Sequence, residues 1–157
     1  MLMRMEKQPF REIAGTYPTG VTVITGTNTE GRPVGMTANS FTTLSLSPLL
    51  VMFAIDKSAS LFSDFMESPS FAVNILASQQ EHLSRQFSKK NVDRFEGVAY
   101  KKSDMTGCPI LENVVSYFDC RIVDRHEAGD HVIVIGEVLD GARFDQTPLI
   151  FCQGRYL

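Results

Sequence analysis

A glycine, an aspartate and a histidine stand together just before a strand-like segment, in the stretch HEAGDHVIVIGEV at residues 126–138. Gly129 leaves space beside His131, and Asp130 is placed to orient the imidazole ring. The alternating apolar residues that follow predict a strand, with His131 at its mouth. Two interpretations remain open at this point. Gly-Asp is ordinary turn chemistry with His131 as the first strand residue, or the triplet presents an imidazole to a ligand.

A second segment of interest is GMTANSFTTLSLSP at residues 35–48, which is small and polar throughout. Thr37, Asn39 and Ser40 lie among small residues there, so a ligand can approach backbone N–H groups and hydroxyls without obstruction. The alternative is a polar strand at the edge of a sheet. Composition alone does not decide between the two.

A third segment, AIDKSAS at residues 54–60, follows a continuous apolar run. Ser58 is a candidate N-cap for the next helix, whose free N–H groups favour an anion. Lys57 adds a positive charge at the same place. The simpler alternative is a capped surface helix with a solvated lysine.

Several common chemistries have no support in the sequence. The chain has neither a Gly-x-Gly-x-x-Gly segment after a strand nor a P-loop. Its three histidines have no paired carboxylates at ligand spacing, so no metal site is predicted. No activated serine or cysteine motif and no evident catalytic carboxylate pair are present. Hydride transfer between two organic cofactors needs none of these groups, because the cofactors carry the reactivity.

Composition narrows the class of protein. The chain has 157 residues, 43% of them hydrophobic and 21% charged, which is typical of one globular domain. A net charge of -3 without a basic stripe argues against nucleic acid as a partner. Three cysteines without a Cys-x-x-Cys motif favour reduced thiols in the cytoplasm. No apolar run suits a signal peptide or a membrane span.

The order of predicted elements indicates the fold. An amphipathic helix carries Phe10, Ile13, Ala14 and Tyr17, and strands follow at 21–25 and 49–55. A helix after Ser58, a strand at 71–76 and a helix at about 78–88 come next. A polar stretch at 88–113 precedes two long strands at about 114–125 and 131–139, and a last strand closes the chain. Strands in runs predict a mainly β protein: an antiparallel barrel, closed or nearly so, with helices outside.

In this order and spacing, FREIAGTYPTGVTVIT, GMTANSFTTLSLSPLLVMFAI, FAVNIL and AGDHVIVIGEV resemble the short-chain flavin reductases. These are reductase components of two-component flavin-dependent monooxygenases. The resemblance covers about residues 10–156 and implies one flavin reductase-like domain over residues 1–157. The implied fold is an FMN-binding split β-barrel (Greek key) with flanking α-helices, assembled as a homodimer. The implied reaction oxidises NADH or NADPH and reduces FMN or FAD for a separate monooxygenase.

The resemblance also implies which residues bind each substrate. The predicted flavin-binding residues are Thr37, Ala38, Asn39, Ser40, Ala54, Asp56, Lys57, Ser58, Ser60, Arg94 and Phe95. The predicted NAD(P)H-binding residues are Gly129, Asp130, His131, Arg155 and Tyr156. All of these would position the two rings, and none is predicted to act as an acid, base or nucleophile. Two alternatives are an FMN-binding electron carrier without NADH oxidation and a ligand-binding barrel without catalysis.

Overall fold

The computed structural model describes residues 4–157. Its helices are α1 (Lys7–Ala14), α2 (Phe62–Glu67) and α3 (Glu81–Gln86), with a 3-10 turn at Ser78–Gln80 before α3. The first five strands are β1 (Thr19–Gly20), β2 (Thr22–Thr27), β3 (Pro33–Ala38), β4 (Thr42–Leu46) and β5 (Leu49–Asp56). The rest are β6 (Ser70–Ile75), β7 (Tyr100–Lys102), β8 (Pro109–Leu111), β9 (Ser116–Ala128), β10 (His131–Arg143), β11 (Ile150–Cys152) and β12 (Arg155–Tyr156).

Seven strands form one antiparallel sheet in the order β3-β2-β6-β9-β10-β5-β4. The two edge strands, β3 and β4, are consecutive in the chain and are joined by residues 39–41. The short connection brings the two edges of the sheet together at one corner, as in a barrel that is split rather than fully sealed. The expected mainly β split barrel with flanking helices is confirmed.

Two apolar clusters hold the fold together. Alternate residues of β5 and β10 point inward, and Phe53, Val132 and Val134 meet Phe65 of α2 and Phe71 of β6 inside the barrel. Burial of such side chains contributes about 1.5–3 kcal/mol each. A second cluster packs α3 and the chain after it against the barrel through Val23, Leu76, Leu83, Phe87 and Leu149.

Most predicted elements are confirmed, and two need correction. The predicted helix after Ser58 begins only at Phe62, because Ser58 forms a turn with Asp56 instead of capping a helix. The predicted last strand is a hairpin of β11 and β12, since Gln153 and Gly154 both adopt positive φ values, 52° and 76°. The polar segment at 35–48 supplies β3 and β4, both at sheet edges, which confirms the edge-strand interpretation.

The opening helix is confirmed as far as Ala14, whereas Tyr17 lies in the turn after it. Its apolar face is uncovered: no residue of α1 is buried, and Phe10 and Ile13 are more than half exposed. Among residues 4–157, no helix is long and apolar enough to cross a membrane. Cys108, Cys120 and Cys152 are free thiols.

Candidate active site

The Gly-Asp-His triplet forms the tip of the longest hairpin. Ala128 of β9 pairs with His131 of β10, so Gly129 and Asp130 make a two-residue loop. Gly129 has a φ of +62°, and a glycine at the first loop position is typical of a type II′ turn. No atom lies within 4 Å of where a Cβ at this position would be. Turn geometry therefore accounts for the glycine, and the space beside Gly129 is open.

The second residue of the loop fixes the imidazole ring. His131 Nδ1 lies 2.8 Å from Asp130 Oδ1. This hydrogen bond, followed by the charge of His131, lowers the pKa of Asp130. An ionised carboxylate can only accept, so Nδ1–H donates and Nε2 is left free in the neutral ring. The ring is therefore oriented, as predicted from the sequence, with one nitrogen available to a ligand.

The end of β5 meets this hairpin. Asp56 is the strand partner of His131, and the Lys57 backbone N–H donates to the Asp130 carbonyl at 2.9 Å. Asp56 accepts hydrogen bonds from the N–H and the hydroxyl of Ser58, at 2.8 and 2.7 Å. The bond from the Ser58 backbone, then that from its hydroxyl, lowers the pKa of Asp56. We call residues 56–58 together with 127–131 the charged corner.

The charged corner differs from the prediction in one respect. Because α2 begins at Phe62, its free N–H groups do not lie at Ser58, so the alternative of an anion held there by a helix N-terminus has no support from the structure. The positive charge at the corner comes from the Lys57 ammonium, which lies 3.1 Å from Glu127 Oε1. Asp56, Asp130 and His131 also offer ligand atoms within 4.8 Å of one another, although Ser58 and the His131–Asp130 bond already engage these groups.

The segment 37–40 is held rigidly from both sides. The Thr37 hydroxyl donates to the Ser84 carbonyl at 2.6 Å, and the Ala38 carbonyl accepts from the Thr22 hydroxyl at 2.6 Å. The Ser40 hydroxyl donates to the Ala54 carbonyl at 2.9 Å and accepts from its N–H at 3.1 Å. Ser40 thus ties the connection between the barrel edges to β5. Its hydroxyl has a structural role, which agrees with placing no catalytic role on it.

Asn39 is exposed, and it lines two cavities. One, of about 230 Å³, lies between Thr37 and Tyr156. The other, of about 290 Å³, is bounded by Tyr17, Pro18, Gly20 and Phe41. We call the two together the Asn39 groove. Sequence reasoning did not select residues 17–20 or Ser84 and Ser88 as site residues, although the Pro-Thr-Gly turn was visible in the sequence.

Two predicted nicotinamide residues lie on the last strand, β12. The Tyr156 hydroxyl is 2.8 Å from the Ser84 hydroxyl, and the Arg85 guanidinium carbon lies 5.0 Å from the centre of the Tyr156 ring. This hydrogen bond fixes the ring at the wall of the Asn39 groove. Arg155 is its exposed neighbour and pairs with Cys152 across the hairpin.

Arg94 connects three parts of the site. Its guanidinium donates to the Gly35 carbonyl at 2.9 Å, to the Lys89 carbonyl at 2.8 Å and, more weakly, to the Ser60 hydroxyl at 3.4 Å. Desolvation by burial lowers the pKa of Arg94. Arg94 therefore fastens the loop after α3 to β3 and to the turn after β5.

The predicted flavin residue Phe95 packs into the second apolar cluster. Its ring meets Phe87 edge-on at 5.0 Å between centroids and Tyr100 at 5.2 Å. Gly35 gives these rings room, because a Cβ at position 35 would lie 2.8 Å from Phe87 Cε1. Phe95 also borders a small cavity of about 210 Å³ beside Arg94 and Ser60.

The predicted site residues form one continuous region. Ser40, the neighbour of Asn39, is bonded to Ala54, and Asp56 lies two residues, about 7 Å, further along β5. His131 then pairs with Asp56, and Arg94 joins Ser60 to β3. The segment that lines the groove is thus joined through β5 to a corner that carries a cation and an oriented imidazole. This arrangement suits a flat ligand with an anionic tail.

The fold and the site together define a small split barrel with an open groove between its edge strands and its last hairpin. Comparison with known proteins narrows the class. The family model for the flavin reductase like domain matches residues 14–157, and the chain belongs to this family.

Individual relatives agree with this assignment. The FMN reductase (NADH) of Agrobacterium fabrum is 41% identical over 147 residues, which cover 94% of this chain and 83% of that protein. The reductase component of a flavin-dependent trigonelline monooxygenase from Acinetobacter baylyi is 40% identical over 146 residues, 93% of this chain but 47% of that longer protein. The NADH:FAD oxidoreductase of Streptomyces globisporus, solved in complex with NAD and FAD fragments, has a TM-score of 0.91 at 37% identity and covers 97% of this chain and 92% of that one.

Proposed function

We propose that this protein is an NAD(P)H:flavin oxidoreductase that transfers hydride from NADH, or from NADPH, to FMN or FAD. The observation that carries the proposal is the bonded connection of the segment 37–40 to the charged corner through Ser40, Ala54 and Asp56. Support comes from relatives named as an FMN reductase (NADH) and an NADH:FAD oxidoreductase. These names favour a reductase over an electron carrier without NADH oxidation. We treat residues 1–157 as one domain.

The proposed roles follow from the geometry. The flavin supplies the redox chemistry when it is bound, and the protein binds and orients. Lys57 and Ser60 bind the phosphate end, and residues 37–40 line the isoalloxazine ring. Main-chain groups of Gly35 and Thr37 on the outer edge of β3 are engaged by Arg94 and Phe87. Asn39 follows Gly35 and Thr37 at the same two-residue spacing. Its main-chain N–H is the donor best placed to stabilise negative charge on the isoalloxazine ring.

The nicotinamide nucleotide binds on the other side of the groove in this proposal. His131 Nε2 contacts the nicotinamide nucleotide, and Gly129 leaves space for the nucleotide beside the turn. Tyr156 and Arg155 flank the nicotinamide. Hydride transfer needs the two rings at roughly 3–3.5 Å, which is a problem of positioning rather than of proton transfer. None of these residues is assigned a proton to move.

A steady-state assay that crosses FMN, FAD and riboflavin with NADH and NADPH tests the proposal. We expect rapid NAD(P)H-dependent bleaching of excess flavin in the absence of oxygen. Stable flavin colour without bleaching would establish the electron carrier instead. Absence of flavin binding would leave only a ligand-binding barrel.

The reduced flavin is proposed to leave the protein and serve a separate monooxygenase. The relative from Acinetobacter baylyi is named as such a reductase component, which supports this assignment. The reaction is placed in the cytoplasm, in agreement with three free cysteines.

We also propose a homodimer. The β4 edge of the sheet is unpaired and apolar: Leu46 is 89% exposed, and Leu44 and Leu49 are about half exposed. A groove of about 570 Å³ continues from Leu49 towards Tyr117 and Leu139. An open antiparallel edge is self-complementary about a two-fold axis, so a second copy of this chain is the occupant that fits.

Light scattering of Leu46→Asp tests the dimer. The wild-type protein should have twice the 17.5 kDa mass of the chain, and the variant should have the mass of one chain. Val123→Asp is the matched control, because Val123 is a half-exposed apolar residue on β9. A wild-type monomer would overturn the proposal.

A further inference from the structure

The lysine proposed to hold the flavin phosphate already has a partner. Lys57 Nζ lies 3.1 Å from Glu127 Oε1, on the strand that leads into the Gly-Asp turn. The other two carboxylates of the charged corner are engaged elsewhere, Asp56 by Ser58 and Asp130 by His131. Among the residues that the structure describes, Lys57 is the one recorded polar partner of the Glu127 side chain.

The ion pair between Lys57 and Glu127 can be separated at little cost. The Lys57 side chain is 39% exposed and that of Glu127 is 81% exposed, so water screens the attraction between them. Exposed pairs of this kind typically contribute about 0–1 kcal/mol. A phosphate brings more negative charge and stronger acceptor oxygens than one carboxylate, so it can displace Glu127 from the ammonium.

We propose that Glu127 is a resident competitor for Lys57 that lowers the affinity of the protein for phosphorylated flavins. The inference rests on the proposed function, and specifically on a phosphate at Lys57. When no phosphate is bound, Glu127 holds the ammonium. When a phosphate ester binds, Glu127 is displaced and its charge stays close to the phosphate. In the proposed function, Glu127 is assigned to neither the flavin ring nor the nicotinamide, so it acts on binding rather than on hydride transfer.

Weak binding of the phosphate suits the proposed reaction. A reductase that supplies a separate oxygenase must release its product in every cycle. A carboxylate that recaptures Lys57 as the phosphate leaves would raise the rate of release without disturbing the ring site. The charged corner thus combines a cation that recognises the phosphate with an anion that limits how tightly it is held.

The test compares Glu127→Gln with Glu137→Gln. Glu137 lies on the same hairpin and pairs with Arg121 at 3.0 Å, so its variant removes the same charge without touching Lys57. The dissociation constants of FMN and riboflavin are measured by quenching of flavin fluorescence without NADH, because riboflavin has the ring but no phosphate. We expect Glu127→Gln to bind FMN about two- to fivefold more tightly and riboflavin unchanged.

Two further measurements separate the possible failures. The gain should shrink at about 1 M salt, where exposed charges are screened beyond about 3 Å. Lys57→Gln should weaken FMN relative to riboflavin. If Lys57→Gln does so but Glu127→Gln changes nothing, the competitor role is wrong and the proposed function stands. If Glu127→Gln tightens both flavins equally, or Glu137→Gln gives the same gain, the competitor role is also overturned. If Lys57→Gln leaves FMN and riboflavin in their original ratio, phosphate binding by Lys57 is wrong, and the competitor role fails with it.

Discussion

Replacement of Arg94 by methionine should increase the mobility of the segments that Arg94 joins more than that of the barrel strands. Methionine has a similar length but no donors, so the variant loses the hydrogen bonds at 2.9 Å to the Gly35 carbonyl and at 2.8 Å to the Lys89 carbonyl. A bond from a charged donor contributes about 1.5–3 kcal/mol, and partial exposure of the guanidinium reduces this value. We expect a loss of about 2–3 kcal/mol in the free energy of unfolding. For a chain of this size, that loss lowers Tm by roughly 5–10 °C.

Urea unfolding and hydrogen exchange measure this prediction. Amides in residues 88–95 should exchange faster in the variant than in the wild type, whereas those of β9 and β10 should change only with global stability. KM for flavin should rise more than kcat falls, because the walls of the site become mobile while the ring contacts at residues 37–40 persist.

Two further variants serve as controls. Arg94→Lys keeps the charge but loses the planar fork, so its stability should fall between those of wild type and Arg94→Met. Arg143 is exposed, and its side chain makes no hydrogen bond among the described residues, so Arg143→Met measures the cost of the exchange itself. If Arg94→Met unfolds at the same urea concentration as Arg143→Met, the connecting role of Arg94 is refuted.

Two other predictions address the hairpin and the core. His131→Ala should raise KM for NADH with little change in flavin affinity, because the imidazole is assigned to the nicotinamide nucleotide; an unchanged KM for NADH would contradict that role. Gly136→Ala should destabilise the protein by about 1–3 kcal/mol in urea unfolding, since a Cβ there would lie 2.6 Å from the Phe71 ring. Gly31→Ala is its contrast, where no atom is within 4 Å and the cost comes only from a φ of +79°.

Periodicity and turn chemistry were sufficient to predict the main strands. The alternating apolar residues of β10 reflect burial on one face of the strand. In β5 the apolar residues are continuous, and alternate ones are buried inside the barrel. Both strands lie where they were expected. The edge strands β3 and β4 mix polar and apolar residues, and each pairs on one side only. That property left their sequence open to a second interpretation, as a ligand-binding segment.

The error at α2 has a local physical cause. Ser58 suits an N-cap, but Asp56 precedes it by two residues and accepts both its N–H and its hydroxyl, at 2.8 and 2.7 Å. An aspartate that forms such a turn competes directly with helix initiation. The sequence DKS contained both possibilities, and only the position of β5 against the 128–131 hairpin decides between them.

Contacts between distant segments lay beyond the reach of sequence reasoning. Arg94 and Gly35 are 59 residues apart, and the donor geometry that joins them depends on where α3 ends. Arg94 was predicted as a flavin ligand from family resemblance, whereas its two shortest recorded bonds go to backbone carbonyls. The resemblance carried no information about which donors the protein itself occupies.

A rigid site binds its ligand only moderately when its own side chains already use most of its hydrogen-bond donors. Thr37, Ser40 and Tyr156 use their hydroxyls on neighbouring segments, so the walls of the groove are held in place before any ligand arrives. Preorganised walls lower the entropic cost of placing two rings face to face. They leave few strong donors for the ligand itself, and the one lysine of the charged corner is shared with Glu127. A site of this kind favours accurate ring geometry over tight retention, which is what a supplier of diffusible reduced flavin requires.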